Sequence, residues 1–156
     1  FPFMLELFSR VPDGIAFLAP GHLTPIPLDE EVSSLSAILL DDDYYRFVLD
    51  GKRYRPGLPS WVGEDRLIPL KGLAWLELRQ RLAQGDPIDS RKIDKHLADV
   101  VVLSGLLADG QVIEAPPKVR ADLGRFLQTV QGVTAGLSPV VARRIADAYA
   151  LGVAVR

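Results

Sequence analysis

Asp65-Arg66-Leu67-Ile68-Pro69-Leu70-Lys71-Gly72-Leu73-Ala74-Trp75-Leu76-Glu77-Leu78-Arg79-Gln80-Arg81-Leu82-Ala83-Gln84, then Gly85-Asp86-Pro87-Ile88, then Asp89-Ser90-Arg91-Lys92-Ile93-Asp94-Lys95-His96-Leu97-Ala98-Asp99-Val100, is the stretch that decides the fold. Leu67, Lys71, Ala74, Leu78 and Leu82 recur at helical spacing, with Trp75 beside them. The pattern predicts a helix roughly from Asp65 to Gln84 that stops at Gly85. Pro69 either sits in its first turn or marks a later start. Asp89-Ser90 is a good N-cap for a second helix ending near Gly110. About five residues join the two, which favours an antiparallel pair.

Working outward, two more helices are predicted near Lys118 to Gln131 and Ser138 to Leu151, set apart by Pro116-Pro117 and Gly132 to Gly136. Upstream, Tyr44 to Leu49 reads as a short helix closed by Gly51. Residues 52–62 hold Pro56, Gly57, Pro59 and Trp61 and read as a loop or short strand. Glu30 to Leu40 reads as a helix. Phe1 to Phe8, Ile15 to Leu18 and His22 to Leu28 read as strands, the last an edge because Pro25 and Pro27 lack donors. The fold class expected is α+β, a small β-sheet followed by a helical bundle. Residues 1–114 form one unit in this reading, and 115–156 a helical C-terminal module.

The chain has 156 residues, 48% hydrophobic and 24% charged, with a formal net charge of −2 and no cysteine. That composition suits a folded core and excludes disulfides and thiolate metal sites. It gives no global electrostatic reason to bind nucleic acid, so none is expected as a partner, although a local basic face stays open. No stretch reaches the roughly 20 apolar residues of a membrane span, and the most apolar run, Val100 to Leu107, is broken by Ser104 and Gly105. Signal-peptide features are missing from the start, so the cytoplasm is expected. The chain opens on Phe1, directly in a strand-like run, and is expected to begin inside a larger protein.

Lys71 breaks a local rule, being a cation on an apolar stripe. It either snorkels to water or is held for an anion such as a phosphate. His96 and Asp99 are three residues apart and share a helical face, and Lys95 and Asp99 are spaced to pair. That face is either solvated or turned toward a cleft, where His96 would carry protons or bind a ligand. Antiparallel pairing offsets Lys71 from Asp99 by about five residues, roughly 7 Å, and sets Arg79 more directly opposite His96. Glu6 lies in the first strand among apolar neighbours, on a solvated face or in a site. Asp41-Asp42-Asp43 reads as capping and dipole complement before it reads as a metal site. His22 has no ligand cluster near it and reads as structural or exposed. Phosphate-loop, dinucleotide, Gly-x-Ser-x-Gly and His-Glu-x-x-His patterns are absent.

The segments Glu64-Asp65-Arg66-Leu67-Ile68-Pro69-Leu70-Lys71-Gly72-Leu73-Ala74-Trp75 and Lys95-His96-Leu97-Ala98-Asp99-Val100 resemble the abortive-infection AbiEii-type nucleotidyltransferase-like proteins. Ser33 to Tyr45 looks similar to the corresponding run of bacterial nucleotidyltransferase-like proteins. The resemblance covers roughly residues 3 to 108. It implies the nucleotidyltransferase fold, a nucleoside triphosphate (NTP) with magnesium, and membership for some relatives in toxin–antitoxin or phage-defence pairs. By the same resemblance, Glu6 matches the third metal-binding acid, Lys71 the lysine that holds the nucleotide or reacting group, and Asp99 the helix aspartate. His96 stands where the family usually has an arginine, a departure that puts phosphate contact in doubt. A larger departure is the missing Gly-Ser and Asp-x-Asp motif before the acid strand. Asp41-Asp42-Asp43 follows that strand and does not take over its role. Two-metal transfer needs those carboxylates. The expectation is therefore the C-terminal portion of a nucleotidyltransferase-like protein, catalytically incomplete as it stands. The alternative is a non-enzymatic helical interaction module, whose helices after Ala115 dock a partner protein or an antitoxin. Arg143-Arg144 is a weak basic patch.

Overall fold

Asp41 opens the first helix by turning its side chain back on the chain. Its Oδ1 accepts from the backbone N–H of Asp43 at 3.0 Å and of Tyr44 at 3.3 Å. Asp42 and Asp43 add negative charge to the first turn, where the helix dipole favours it. The computed structural model describes residues 38, 41–133 and 136–152. Helix α1 spans Asp42–Asp50. A two-stranded antiparallel sheet follows, β1 at Lys52–Arg53 and β2 at Trp61–Val62, with Lys52 opposite Val62 and Arg53 opposite Trp61. Then come α2 at Glu64–Ala83, α3 at Ser90–Ser104, α4 at Pro117–Val133 and α5 at Pro139–Ala148. The described residues are thus α+β and strongly helical. The three strands expected over Phe1 to Leu28, most of the helix expected from Glu30 to Leu40, His22 and Glu6 lie outside them.

Gly51 does not close α1 in the left-handed conformation expected of a C-terminal glycine, because its φ is −93°. Its reason is steric. A Cβ there would sit 1.7 Å from Arg66 Nε. The Arg66 guanidinium passes this point to lie over the Phe47 ring at 4.2 Å and to donate to the Glu114 carbonyl at 3.3 Å.

Pro69 settles neither in the first turn nor at a later start. It is the sixth residue of α2, and the helix begins ahead of it at Glu64. A proline there has no N–H for the carbonyl four residues back, that of Asp65. The Tyr149 hydroxyl, beyond the end of α5, donates to the Asp65 carbonyl at 2.6 Å. A tyrosine 84 positions away thus supplies the hydrogen bond that the proline withholds.

Helix α3 ends at Ser104, six residues before Gly110. There the Ser104 hydroxyl turns inward and donates to the Val101 carbonyl at 2.8 Å, and Gly105 forms the C-cap. Its start is as expected, with the Asp89 side chain accepting from Arg91 N–H. Likewise Ser138 caps α5 through Val141 N–H.

The core has α2 at its centre. Ile68, Leu70, Leu73, Ala74, Trp75 and Leu78 are all buried, so this helix is apolar over much of its circumference rather than along one stripe. Leu82, placed on that stripe by its spacing, is exposed. Helix α2 packs most extensively on α3 and next on α4. Trp75 meets Phe126 of α4 edge to face, with ring centroids 5.4 Å apart. Each such large side chain contributes about 2–3 kcal/mol by leaving water. One hydrophobic cluster runs from Ile38 to Tyr149 and holds residues from both sides of Ala115.

Candidate functional site

Lys71 Nζ lies 3.1 Å from Asp99 Oδ2. Lys71 is about 18 Å from the end of α2, and Asp99 about 13.5 Å into α3. The short 84–89 link allows them to meet only if the helices fold back on each other, so the contact itself establishes the antiparallel pairing. The offset expected between the two side chains is closed by the reach of the lysine.

The Lys71 side chain is 13% exposed and that of Asp99 34%. Lys71 therefore does not snorkel freely to water. Its charge is answered inside the protein by a carboxylate that keeps one side at the surface. A protonated amine has three donors, and its pairing with Asp99 fixes the direction of the lysine stem. Chemically the pair is an oriented ammonium compensated by a partly exposed carboxylate.

His96 is buried at 5% exposure, which withdraws its ring from the solvated face that Asp94 and Lys95 occupy. Arg79, expected opposite His96, has its guanidinium 5.0 Å above the Trp75 ring. Two open grooves on the described surface, of about 580 and 430 Å³, are lined by neither Lys71 nor Asp99. Glu6 lies outside the described residues. Among the described residues no group of three His, Asp or Glu side chains could hold a metal ion. Asp99 has committed an oxygen to Lys71.

A second polar cluster had only part of its signal in the sequence. Asp122 of α4 is buried, and its carboxylate accepts from Lys118 Nζ at 3.1 Å, an Arg125 guanidinium nitrogen at 2.9 Å and the Tyr44 hydroxyl at 3.3 Å. Lys118, Asp122 and Arg125 are spaced for one helical face, and that part was legible. Tyr44 is 78 residues away, and no local pattern points to it. Burial, then the Asp122 charge, pushes the Tyr44 hydroxyl far above its ordinary value, so it stays a donor. The hydrogen bond to Asp122 likewise raises the Lys118 ammonium. Burial first, and then Asp122, also pushes the Glu77 carboxyl up. One acceptor thus answers three donors, Lys118 also lies 3.8 Å from Asp41, and the cluster joins α1 to α4.

Comparison of the chain with family models, curated proteins and solved structures found no match.

Proposed function

We propose that the chain is part of a nucleotidyltransferase-like protein, in which an acceptor attacks the α-phosphate of a bound NTP and pyrophosphate leaves. The observation that carries this reading is the Lys71–Asp99 contact at 3.1 Å. The lysine and the helix aspartate, each of which the family resemblance implies as a site residue, meet across two helices. The lysine is oriented rather than loose, which suits a group that holds a polyphosphate. Asp99 acts as its positioning residue. Magnesium would depend on acids outside the described residues, Glu6 among them.

The test is calorimetric titration of magnesium–NTP into the whole chain and into its Lys71→Ala and Asp99→Ala variants. Loss of one charge-assisted contact predicts about tenfold weaker binding in each. Affinity unchanged in both variants would remove the assignment.

A second reading, the helical interaction module, is favoured by a separate observation. Val112 and Val140, 75% and 74% exposed, line the smaller groove together with Arg143 and Arg144. Apolar side chains rimmed by charge suit a protein partner such as an antitoxin. Co-expression with the product of the adjoining open reading frame tests it, the complex being lost in Val140→Asp.

A further inference from the structure

The segment from Lys52 to Val62 carries Lys52, Arg53 and Arg55 and no acidic residue. Its large side chains are turned outward, Tyr54 at 71%, Leu58 at 56% and Trp61 at 37% exposure. None of the three belongs to the core cluster. Arg53 pairs with Trp61 across the sheet, so Arg55 and Trp61 share one face of the hairpin and Lys52 and Tyr54 alternate to the other. Each face leaves a ring in water that folding does not use, with a cation on the same face.

The loop is held in one shape. Leu58 N–H donates to the Arg55 carbonyl at 3.1 Å around Pro56 and Gly57. Gly57 has a φ of +79°. Proline second and a left-handed glycine third are the pattern of a type II turn. Pro59 stiffens the return. At its base, Arg53 is taken up by Glu64 at 2.6 Å and Asp65 at 3.2 Å, which pins the hairpin to the start of α2. That leaves Lys52 and Arg55 as the cations available to an anion. Arg55 also lies over the Trp61 ring, 5.8 Å from its centroid.

We propose that this hairpin loop is a binding surface for single-stranded nucleic acid, with Tyr54 and Trp61 stacking on bases and Lys52 and Arg55 meeting phosphates. The combination is specific in kind. Flat ring faces suit unpaired bases of any sequence, and cations at their side suit the backbone that links those bases. A rigid loop loses little entropy on binding, so even a few contacts are effective. The surface is small, which predicts weak, salt-sensitive, sequence-tolerant binding. The inference stands on the hairpin alone and does not depend on Lys71.

The experiment is fluorescence anisotropy of a labelled oligothymidylate of about 12 nucleotides, titrated with the whole chain at low salt. Two phosphate contacts predict a log–log salt slope of about −1.4. Tyr54→Ala and Trp61→Ala are each expected to weaken binding about tenfold, and Arg55→Glu to flatten the slope by about half. The melting temperature of Tyr54→Ala should match the parent, because that side chain is 71% exposed and outside the core. Lys71→Ala should leave the oligonucleotide affinity unchanged, so failure here and failure of the nucleotide site are distinguishable. No binding at about 100 µM chain overturns the proposal. So does equal binding by the Tyr54 and Trp61 variants. So does an indifferent oligonucleotide response alongside loop-dependent binding of oligoglutamate, or of phosphatidylserine vesicles.

Discussion

Lys71 with Asp99, and Asp122 with its three donors, both put charge against the packed helices, but they are built differently. The first is a single pair between α2 and α3, with a carboxylate one-third exposed. The second is a carboxylate with a 12% exposed side chain that answers Lys118, Arg125 and Tyr44 at once. A network of that kind stabilises a fold, and its central carboxylate has nothing left to offer a ligand. A two-membered pair near the surface gives up less when something else competes for it. The difference separates a structural polar cluster from a candidate binding site on satisfaction rather than on charge.

The largest expected effect tests the network. Asp122→Ala would strand the buried Tyr44 hydroxyl and remove the shared partner of Lys118 and Arg125, and should cost about 2–3 kcal/mol in urea unfolding. Lys118 and Arg125 can partly return to water, which keeps the figure below that of a fully enclosed pair.

Next is the link between Tyr149 and α2. Tyr149→Phe leaves the Asp65 carbonyl without its donor and should cost about 1–2 kcal/mol. In a Pro69→Ala background the new N–H can fill that carbonyl, so most of the cost should vanish. A double-mutant cycle reads this as a coupling energy, and additive effects would show that the two residues act separately.

The Lys71–Asp99 pair should matter less to stability. Asp99→Asn is expected to cost about 1 kcal/mol or less in urea unfolding, because the carboxylate is one-third exposed and the substituted amide still accepts from Lys71. A loss as large as that of Asp122→Ala would erase the contrast between the two clusters.

The smallest effect is Glu77→Gln. Burial and Asp122 hold the folded Glu77 carboxyl above its ordinary value of 4.5. A raised acid favours the folded state while protonated, and that contribution is lost as pH rises through the folded value. Glu77→Gln should therefore be slightly more stable than the parent at neutral pH, by under about 0.5 kcal/mol after solvent screening. The advantage should fade below pH 4.5. Urea unfolding of both proteins across that range reads the sign.

Local chemistry made much of the helical part legible. Asp41, Asp89 and Ser138 cap helices because each carries an acceptor at the point where the pattern changes. Lys71 stood out because a cation on an apolar stripe needs an explanation, and Asp99 provides it. What stayed hidden depends on contacts between distant positions. Nothing near Pro69 announces Tyr149, and nothing near Asp122 announces Tyr44. Gly51 looked like a conformational choice but answers the path of Arg66. The end of α3 was overrun because apolar residues continue past Ser104, where the backbone tightens to bonds three residues back and the Ser104 hydroxyl takes the Val101 carbonyl.

The Tyr149 hydroxyl on the Asp65 carbonyl also has a meaning in time. During synthesis, the opening turns of α2 emerge long before residue 149, and until then the carbonyl opposite Pro69 has only water as its donor. The central helix of the core therefore waits for its last hydrogen bond until α5 has been made and has docked. A ribosome-bound chain arrested just short of Tyr149 would hold every buried residue of α2 and still leave that helix unfinished at its start.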